Sequence, residues 1–284
     1  MIDLHTHTTA SDGSLSFEEL VSQAKAAGIK AISITDHDTV ASAIRITGKE
    51  PIEVIPGIEL SVFDQAAGYM DIHILGIYID PKNKVLNSKL KAITVARENQ
   101  KKETIAKVKS LGYDVTFEEV KAKAKGSIGR PHIAQVLVEK YPQEFPSIQS
   151  AFDKLLGNDK PGYAERQIGF SMKEAISLIH SAGGLAFLAH PYIYKYDIEQ
   201  LIADFEYADG DGLEVYYDYI RNQPEARLTD TQNNELIAHV RALAAVGGFL
   251  MSGGSDFHGP GKAQTLGTFG APDEFLDKIK AATQ

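Results

Sequence analysis

The hydrophobic pattern near the start of the chain alternates between a short strand and an amphipathic helix. Residues 2–5 read Ile-Asp-Leu-His, and this strict alternation predicts a strand. Ser16 and Glu19 form a capping-box pattern. The helix that follows is predicted to end near Ala27, because Gly28 can adopt the left-handed conformation that ends helices.

Short apolar segments recur along the rest of the chain. They predict strands at residues 31–35, 52–62, 73–79, 185–189, 213–216 and 249–252, the second being a strand-pair region around Gly57. Strands that alternate with helices are typical of an α/β fold with a mostly parallel sheet. In such folds the functional side chains gather at the carboxyl ends of the strands.

The pattern becomes helical between residues 87 and 169. A long, lysine-rich helix is predicted from Asn87 to Leu111, and a second helix follows the capping box of Thr116 and Glu119. Pro131 is predicted at the first position of a further helix. We therefore expect a main domain formed by residues 1–86 and 170–284, and a helical insertion at 87–169 that acts as a lid or substrate subdomain.

Composition narrows the function classes. The net charge of −9 argues against binding to long duplex nucleic acid, but it permits a small anionic substrate at a local positive site. Cysteine is absent, so thiolate nucleophiles and thiolate ligands are excluded. The apolar runs are too short for a membrane span, and residues 1–5 do not resemble a secretory leader. A cytoplasmic location without membrane attachment is expected.

Histidines and carboxylates occur together at the predicted strand ends. His5 and His7 are two residues apart, so both imidazoles can face one metal ion from the same side of a strand. Asp256 and His258 repeat this spacing near the other end of the chain. Either pair alone is a weak signal, because exposed or hydrogen-bonded histidines are common.

Further candidate ligands lie between these two pairs, at Asp12, Asp36, His37, Glu59, His73 and His190. Each has a structural alternative: His73 suits a buried core position, and His190 precedes a proline and suits a turn. Jointly, imidazoles and carboxylates without thiolates favour metals that accept nitrogen and oxygen ligands. So many ligands at one end of the strands imply more than one metal ion. Sites with two or more closely spaced ions commonly hydrolyse phosphate esters.

The insertion contains candidate substrate-binding side chains. Arg130 and His132 flank Pro131 at a predicted helix N-terminus, and Arg97 lies on the long helix. A helix N-terminus favours anions, and a guanidinium can bind phosphate through two hydrogen bonds. The alternative is a surface arginine in an ordinary helix cap.

In combination, these motifs resemble the polymerase-and-histidinol-phosphatase (PHP) family of metal-dependent phosphoesterases. The resembling segments are residues 3–7 (Asp-Leu-His-Thr-His), 11–13, 35–39 (Thr-Asp-His-Asp-Thr), 57–59, His73, 189–191 (Ala-His-Pro) and 254–260. They follow the family's order over nearly the whole chain. Residues 129–132 (Gly-Arg-Pro-His) and 160–163 (Lys-Pro-Gly-Tyr) are similar to the subgroup that acts on nucleotides.

The resemblance implies a distorted (β/α)7 barrel and a site for three divalent ions, often manganese, with iron or zinc as alternatives. The family pattern divides nine ligands among the ions: His5, His7, Glu59 and Asp256 for the first; Glu59, His73 and His190 for the second; Asp12, His37 and His258 for the third.

The resemblance also implies hydrolysis of a nucleotide phosphomonoester, with the 3'-phosphate of a nucleoside 3',5'-bisphosphate as the expected substrate. Short oligonucleotides would also be trimmed from the 5' end. A hydroxide supplied by the metals would attack phosphorus in line, and Arg130 would help to neutralise the phosphoryl oxygens. His132 or a site carboxylate would protonate the leaving alkoxide.

Two segments depart from the subgroup. The turn after Pro191 reads Tyr-Ile-Tyr-Lys, so only Lys195 could replace the usual arginine. The segment after Glu214 is rich in tyrosine, where the subgroup tends to have small polar residues, and nucleoside preference therefore stays open. Three alternatives remain: the same chemistry on histidinol phosphate or another small phosphomonoester, a regulatory module that binds metal without catalysis, and an amidohydrolase-type C–N hydrolase. The carbamylated lysine usual in that last class has no counterpart in these motifs.

Overall fold

The strands form a single sheet whose spatial order follows the order of the chain. The computed structural model describes residues 1–124, 128–157, 159–164, 169–260 and 264–283. Within these residues the strands are β1 (Ile2–Thr6), β2 (Ala31–Ile34), β3 (Glu53–Asp64), β4 (Tyr69–Ile77), β5 (Leu185–Leu188), β6 (Gly212–Tyr217) and β7 (Leu250–Gly254). The sheet curls until its two edge strands meet.

Backbone hydrogen bonds join the last strand to the first. The N–H of Asp256 donates to the carbonyl of His5 at 3.0 Å, and the N–H of His7 donates to the carbonyl of Phe257 at 3.0 Å. The sheet is therefore a nearly closed barrel, which confirms the predicted barrel fold. This closure also brings the histidines near residue 5 beside the acidic and imidazole groups near residue 256.

One strand runs against the others. β4 pairs antiparallel with β3 and with β5, whereas the remaining pairs are parallel. The strand-pair region predicted at 52–62 is therefore wrong: β3 is one strand, and its hairpin partner is β4. Gly68, with φ of 78°, takes the left-handed conformation in the tight connection between them. β4 also starts earlier than predicted, because the exposed Met70 and Asp71 break its apolar pattern.

Helices cover the barrel in a first compact unit, formed by Met1–Leu90 and Phe170–Gln284. Within the described residues they are α1 (Phe17–Ala26), the start of α2 (Lys84–Ser110), α6 (Met172–Ser181), α7 (Ile198–Tyr207), α8 (Tyr219–Asn222), α9 (Asp230–Gly247) and α10 (Glu274–Ala282). α1 has the predicted capping box, in which Ser16 and Glu19 each cap the other's backbone N–H. Its buried Leu20 and Ala24 belong to the same apolar cluster as Ile32 and Ile34 of β2.

The second compact unit comprises Lys91–Gly169 and is helical. It contains the rest of α2, followed by α3 (Phe117–Lys123), α4 (Arg130–Lys140) and α5 (Ile148–Ala151). Its own apolar core includes Val108, Val120, Ile133, Leu137 and Phe145. Pro131 is the second residue of α4 rather than the predicted first; both positions tolerate proline, because N–H groups of the first turn lack helical partners.

Among the helices that the structure describes, none combines the length and the apolar character needed to cross a membrane.

Candidate metal centre

The predicted ligands of the first unit converge at one end of the barrel. His5 lies in β1, and His7 follows the end of that strand. His37 follows β2, His190 follows β5, and Asp256 and His258 follow β7. Glu59 was expected at a strand end but lies in the middle of β3, because this strand continues beyond the barrel edge as a hairpin. His73 lies on the returning strand β4, so the hairpin contributes both residues.

Glu59 is the centre of the cluster. Its carboxylate is buried, and among the described residues five imidazoles approach its two oxygens: His5 Nε2, His7 Nε2 and His37 Nδ1 lie 3.3, 3.3 and 2.9 Å from Oε2, and His73 Nδ1 and His190 Nε2 lie 2.8 and 3.3 Å from Oε1. One carboxylate thus faces imidazoles that come from four different strands or strand ends, β1, β2, β4 and β5.

Asp256 forms a second focus. Its Oδ1 lies 3.3 Å from His5 Nε2 and 3.2 Å from His7 Nε2, and the hydroxyl of Tyr217 donates to its Oδ2 at 2.7 Å. Asp256 has φ of 55°, a left-handed conformation that is uncommon outside glycine. The backbone therefore keeps an unusual conformation at the point where this carboxylate enters the cluster.

Asp12 closes the outer side of the cluster. Its Oδ1 lies 3.3 Å from His258 Nε2, and its two oxygens lie 3.9 Å from His7 Nδ1 and from His37 Nε2. Its side chain is about half exposed, whereas that of Glu59 is almost fully buried. The cluster therefore opens to solvent at the Asp12 side.

Several of these buried atoms lack hydrogen-bond partners among the described residues. They are His5 Nε2, His7 Nε2, His37 Nδ1, Glu59 Oε2, His73 Nδ1 and His190 Nδ1. Unpartnered buried polar atoms are costly, so native structures rarely collect so many at one place without a ligand. The donor set of imidazole nitrogens and carboxylate oxygens fits divalent metal ions.

The geometry groups the residues in a way that overlaps the family pattern without repeating it. Among the described residues four groups could each surround an ion: His5, His7 and Asp256; His5, Glu59 and His190; His37, Glu59 and His73; and His7, Asp12, His37 and His258. The set expected for the second ion is divided, since His73 and His190 fall in different groups around Glu59. Asp12, His37 and His258 stay together, with His7 added.

The charges of the cluster stabilise each other. Burial alone would raise the pKa of Glu59, but the surrounding imidazoles of His37, His73 and His5 hold it well below its usual value. Burial alone would lower the pKa of His7, but the carboxylates of Asp256 and Glu59 raise it to about 10. Glu59 and Asp71 likewise raise the pKa of His73 to about 10. In the metal-free protein, protons on these rings balance the carboxylates.

Filling this site with metal is therefore expected to release protons. A ligand imidazole must be neutral, and the rings of His7 and His73 are protonated below a pKa of about 10. Mn²⁺ added at about pH 8 should displace a proton from each ring, so apparent affinity should rise with pH up to about 10. Calorimetric titrations in buffers of different ionisation enthalpy measure this release. Binding without proton release would contradict it.

Three residues that contact the proposed metal ligands were not predicted from the sequence. Glu214 is buried on β6 and contacts His5, Tyr217 donates to Asp256, and the hydroxyl of Tyr194 accepts from the backbone N–H of His73. A carboxylate inside the apolar strand β6 was a signal for the first of them, because a buried acid needs partners. The two tyrosines resemble packing residues in the sequence and carry no such signal.

Asp36 belongs to none of the four groups of candidate metal ligands, but it stabilises a loop of the site. Its carboxylate accepts the backbone N–H of Thr8 at 2.8 Å and the hydroxyls of Thr8 and Ser11 at 2.8 and 2.7 Å. It therefore fixes the loop that leads from His7 to Asp12.

The structure places the predicted substrate-binding residues in both units. In the second unit, Arg130 lies over the ring of Tyr163, 5.0 Å from its centroid, and its NH1 donates to the carbonyl of Leu156 at 3.2 Å. His132 Nδ1 accepts the backbone N–H of Gly129 at 2.9 Å, and Arg97 lies on α2. Lys195 belongs to the first unit and is exposed.

The barrel and its cluster of imidazoles and carboxylates define a class of protein. The PHP domain family matches residues 3–189, and the chain belongs to this family. This confirms the resemblance found in the sequence, and with it the interpretation of the chain as a phosphoric ester hydrolase.

Particular relatives share most of the chain. A 5'-3' exoribonuclease from Haemophilus influenzae is 33% identical over 264 residues, which cover 91% of this chain and 90% of the relative. A 3',5'-nucleoside bisphosphate phosphatase from Chromobacterium violaceum is 33% identical over 269 residues, which cover 92% of this chain and 88% of the relative.

Two solved structures are similar over almost their whole length. One, from Chromobacterium violaceum, is described as an amidohydrolase with bound sulfate and no metal; it has a TM-score of 0.79 and 29% identity, and covers 99% of this chain and 96% of its own. The other, from Bifidobacterium adolescentis, is described as a metal-dependent phosphoesterase. It has a TM-score of 0.79 and 27% identity, and the match covers 99% of this chain and 95% of the Bifidobacterium chain. Both confirm the fold.

Proposed function

We propose that this chain is a phosphoesterase whose metal centre hydrolyses the 3'-phosphate of nucleoside 3',5'-bisphosphates. The observation that carries the proposal is the set of five imidazoles around the buried carboxylate of Glu59, with unpartnered nitrogens beside it. The name of the Chromobacterium relative supports this substrate. The name of the Haemophilus relative supports a second activity, the trimming of short oligoribonucleotides from the 5' end.

The site would hold three divalent ions, with manganese as the expected metal. The nine residues that would hold them are His5, His7, Asp12, His37, Glu59, His73, His190, Asp256 and His258. Manganese accepts imidazole and carboxylate ligands, and no thiolate is available to select a softer metal. Glu59 would bridge ions, because its two oxygens face different histidines.

When bound, the ions would supply Lewis-acid polarisation of the phosphoryl oxygens and a hydroxide at neutral pH. The carboxylates of Glu59 and Asp256 and the facing imidazoles would keep the ions close together. The exposed side of the cluster at Asp12 would admit the phosphate.

Both units would supply the remaining charges. In the helical unit Arg130 would bind a phosphate and Arg97 would add positive charge near the nucleotide, and in the first unit Lys195 would do the same. His132 or a site carboxylate would protonate the leaving 3'-oxygen. In the neutral ring of His132, Nδ1 accepts the N–H of Gly129, so the hydrogen is on Nε2 and can form a hydrogen bond to that oxygen; transfer of a proton from the ring requires its imidazolium form. We propose the helical unit as the substrate subdomain on these grounds.

Arg130→Ala is expected to weaken substrate binding and to leave metal content unchanged. A charge-assisted hydrogen bond contributes about 1.5–3 kcal/mol, so KM should rise about 10-fold to 100-fold with little change in kcat. Steady-state kinetics and elemental analysis measure the two quantities. Lys107→Ala is the matched control, because Lys107 also donates to a backbone carbonyl in this unit, that of Tyr163. An equal rise in KM for both variants would contradict a specific role for Arg130.

A substrate panel tests the proposed function. Manganese-loaded protein is given a nucleoside 3',5'-bisphosphate, the matching 5'-mononucleotide, histidinol phosphate and an amide substrate, and phosphate or amine release is followed. We expect fast release from the bisphosphate alone. Fast turnover of histidinol phosphate would favour a small-phosphomonoester phosphatase. Amide cleavage would favour the activity in the description of the Chromobacterium structure, and no turnover with metal bound would favour a regulatory module.

A further inference from the structure

Glu214 is a buried acid at the centre of an apolar strand. It lies on β6 between Leu213 and Val215, and all three residues have no exposed surface. A carboxylate in such surroundings is stable only when its oxygens accept hydrogen bonds or face positive charge. Both oxygens of Glu214 accept hydrogen bonds, and both donors belong to proposed metal ligands, His5 and His190.

The first oxygen determines the orientation of the His5 ring. Glu214 Oε1 lies 3.0 Å from His5 Nδ1. An ionised carboxylate only accepts hydrogen bonds, so Nδ1 is the donor. In the neutral ring Nε2 then keeps its lone pair. This Nε2 lies 3.3 Å from Glu59 Oε2 and from Asp256 Oδ1, and has no hydrogen-bond partner in the part of the chain that the structure describes.

The second oxygen holds the backbone of His190. Glu214 Oε2 accepts the backbone N–H of His190 at 2.8 Å. His190 has φ of 29° and ψ of 59°, which is unfavourable for a residue with a side chain. The hydrogen bond stabilises this conformation, and in it the ring nitrogen Nε2 lies 3.3 Å from Glu59 Oε1.

We propose that Glu214 is a positioning residue that orients His5 and His190 together toward the metal centre. This role rests on the proposed function, since it presumes that both histidines bind metal. One carboxylate fixes which nitrogen of His5 faces the ions and also the backbone from which His190 reaches them. Hydrogen-bonded partners of this kind orient metal-binding histidines and raise their basicity.

Glutamine cannot replace both functions of Glu214. A side-chain amide has one acceptor oxygen and one donor nitrogen. If the oxygen accepts from His5 Nδ1, the NH₂ group faces the N–H of His190, and donor opposes donor. In the reverse orientation the NH₂ group donates to His5 Nδ1, so the hydrogen of the neutral ring moves to Nε2, the nitrogen that faces the proposed ions. Glu214→Gln therefore keeps the shape of the side chain but cannot both hold the backbone of His190 and leave His5 Nε2 without a hydrogen.

The test compares Glu214→Gln with Asp211→Asn. Asp211 lies directly before β6 and also accepts from one imidazole and one backbone N–H, namely His180 Nε2 and Ala186, each at 2.7 Å. It belongs to none of the four groups. We expect Glu214→Gln to lower Mn²⁺ affinity about 10-fold to 100-fold and to change the visible spectrum of the Co²⁺-loaded protein. Asp211→Asn should leave both unchanged.

The outcomes separate this role from general stability and from the proposed function. Unchanged affinity and spectrum in Glu214→Gln, or equal losses in both variants, would overturn the positioning role. Failure of the wild-type protein to bind metal would overturn the assignment of the metal centre, and with it the positioning role of Glu214.

A second measurement does not depend on the folding of the variant. In the unchanged protein loaded with Zn²⁺, the ¹⁵N NMR signals of His5 should show hydrogen on Nδ1 and metal on Nε2. Coordination of His5 through Nδ1 would overturn the role.

Discussion

Glu59→Ala is expected to lose bound metal and to lose hydrolytic activity by about 1,000-fold or more. The carboxylate lies within 3.3 Å of five imidazoles in the described structure, so its removal takes away the group that would bridge the ions. Metal ions contribute several kcal/mol to the stabilisation of a phosphoryl transition state, and about 4 kcal/mol corresponds to a factor of about 1,000. Elemental analysis and phosphate release measure the two losses.

The control for this prediction lies on the same strand. Glu53 begins β3 and pairs with Tyr78 and Lys280, away from the cluster. Glu53→Ala should keep its metal and its activity. Glu59→Gln, which preserves the shape of the side chain, should behave like Glu59→Ala. Normal turnover by either Glu59 variant would show that the site is assigned wrongly.

Removal of metal by chelation is expected to abolish activity and to lower the midpoint of thermal unfolding. An ion at about 100 times its Kd stabilises the folded protein by about 2.7 kcal/mol, which for a chain of this size shifts the midpoint by about 5–10 °C. Protonated imidazoles balance the carboxylates in the metal-free site, so the metal-free protein should remain folded. Calorimetric scans before and after chelation test this.

Two comparisons make the chelation experiment specific. Mn²⁺ added back should restore both the midpoint and the activity. Glu59→Ala should show no shift on chelation, because it would carry no bound metal to remove. An unchanged midpoint and full activity in the chelated wild-type protein would contradict a metal-dependent enzyme.

Much of the fold could be predicted from local patterns. The capping boxes at Ser16 and Thr116 precede helices as expected, since capping is decided by residues within one turn. The direction of β4 could not be predicted, because pairing depends on contacts between distant residues. The hairpin it forms with β3 also explains why Glu59 lies inside a strand.

The site could be predicted in its chemistry but only in part in its arrangement. The two-residue spacing of His5 and His7 places both rings on one side, and this is a local property. The grouping of His73 apart from His190 depends on how the hairpin meets β5, which no spacing records. An acid inside the apolar strand β6 indicates that Glu214 needs partners, but its partners His5 and His190 follow only from the way in which the barrel brings these segments together.

The most direct measurement follows oxygen during hydrolysis. Manganese-loaded protein is incubated with a nucleoside 3',5'-bisphosphate in water enriched in ¹⁸O, and the products are analysed by mass spectrometry. Attack on phosphorus predicts a 5'-mononucleotide without label and one ¹⁸O atom in each phosphate released in a single turnover. Label in the nucleotide, or no phosphate release from protein shown to contain metal, would contradict the proposed function.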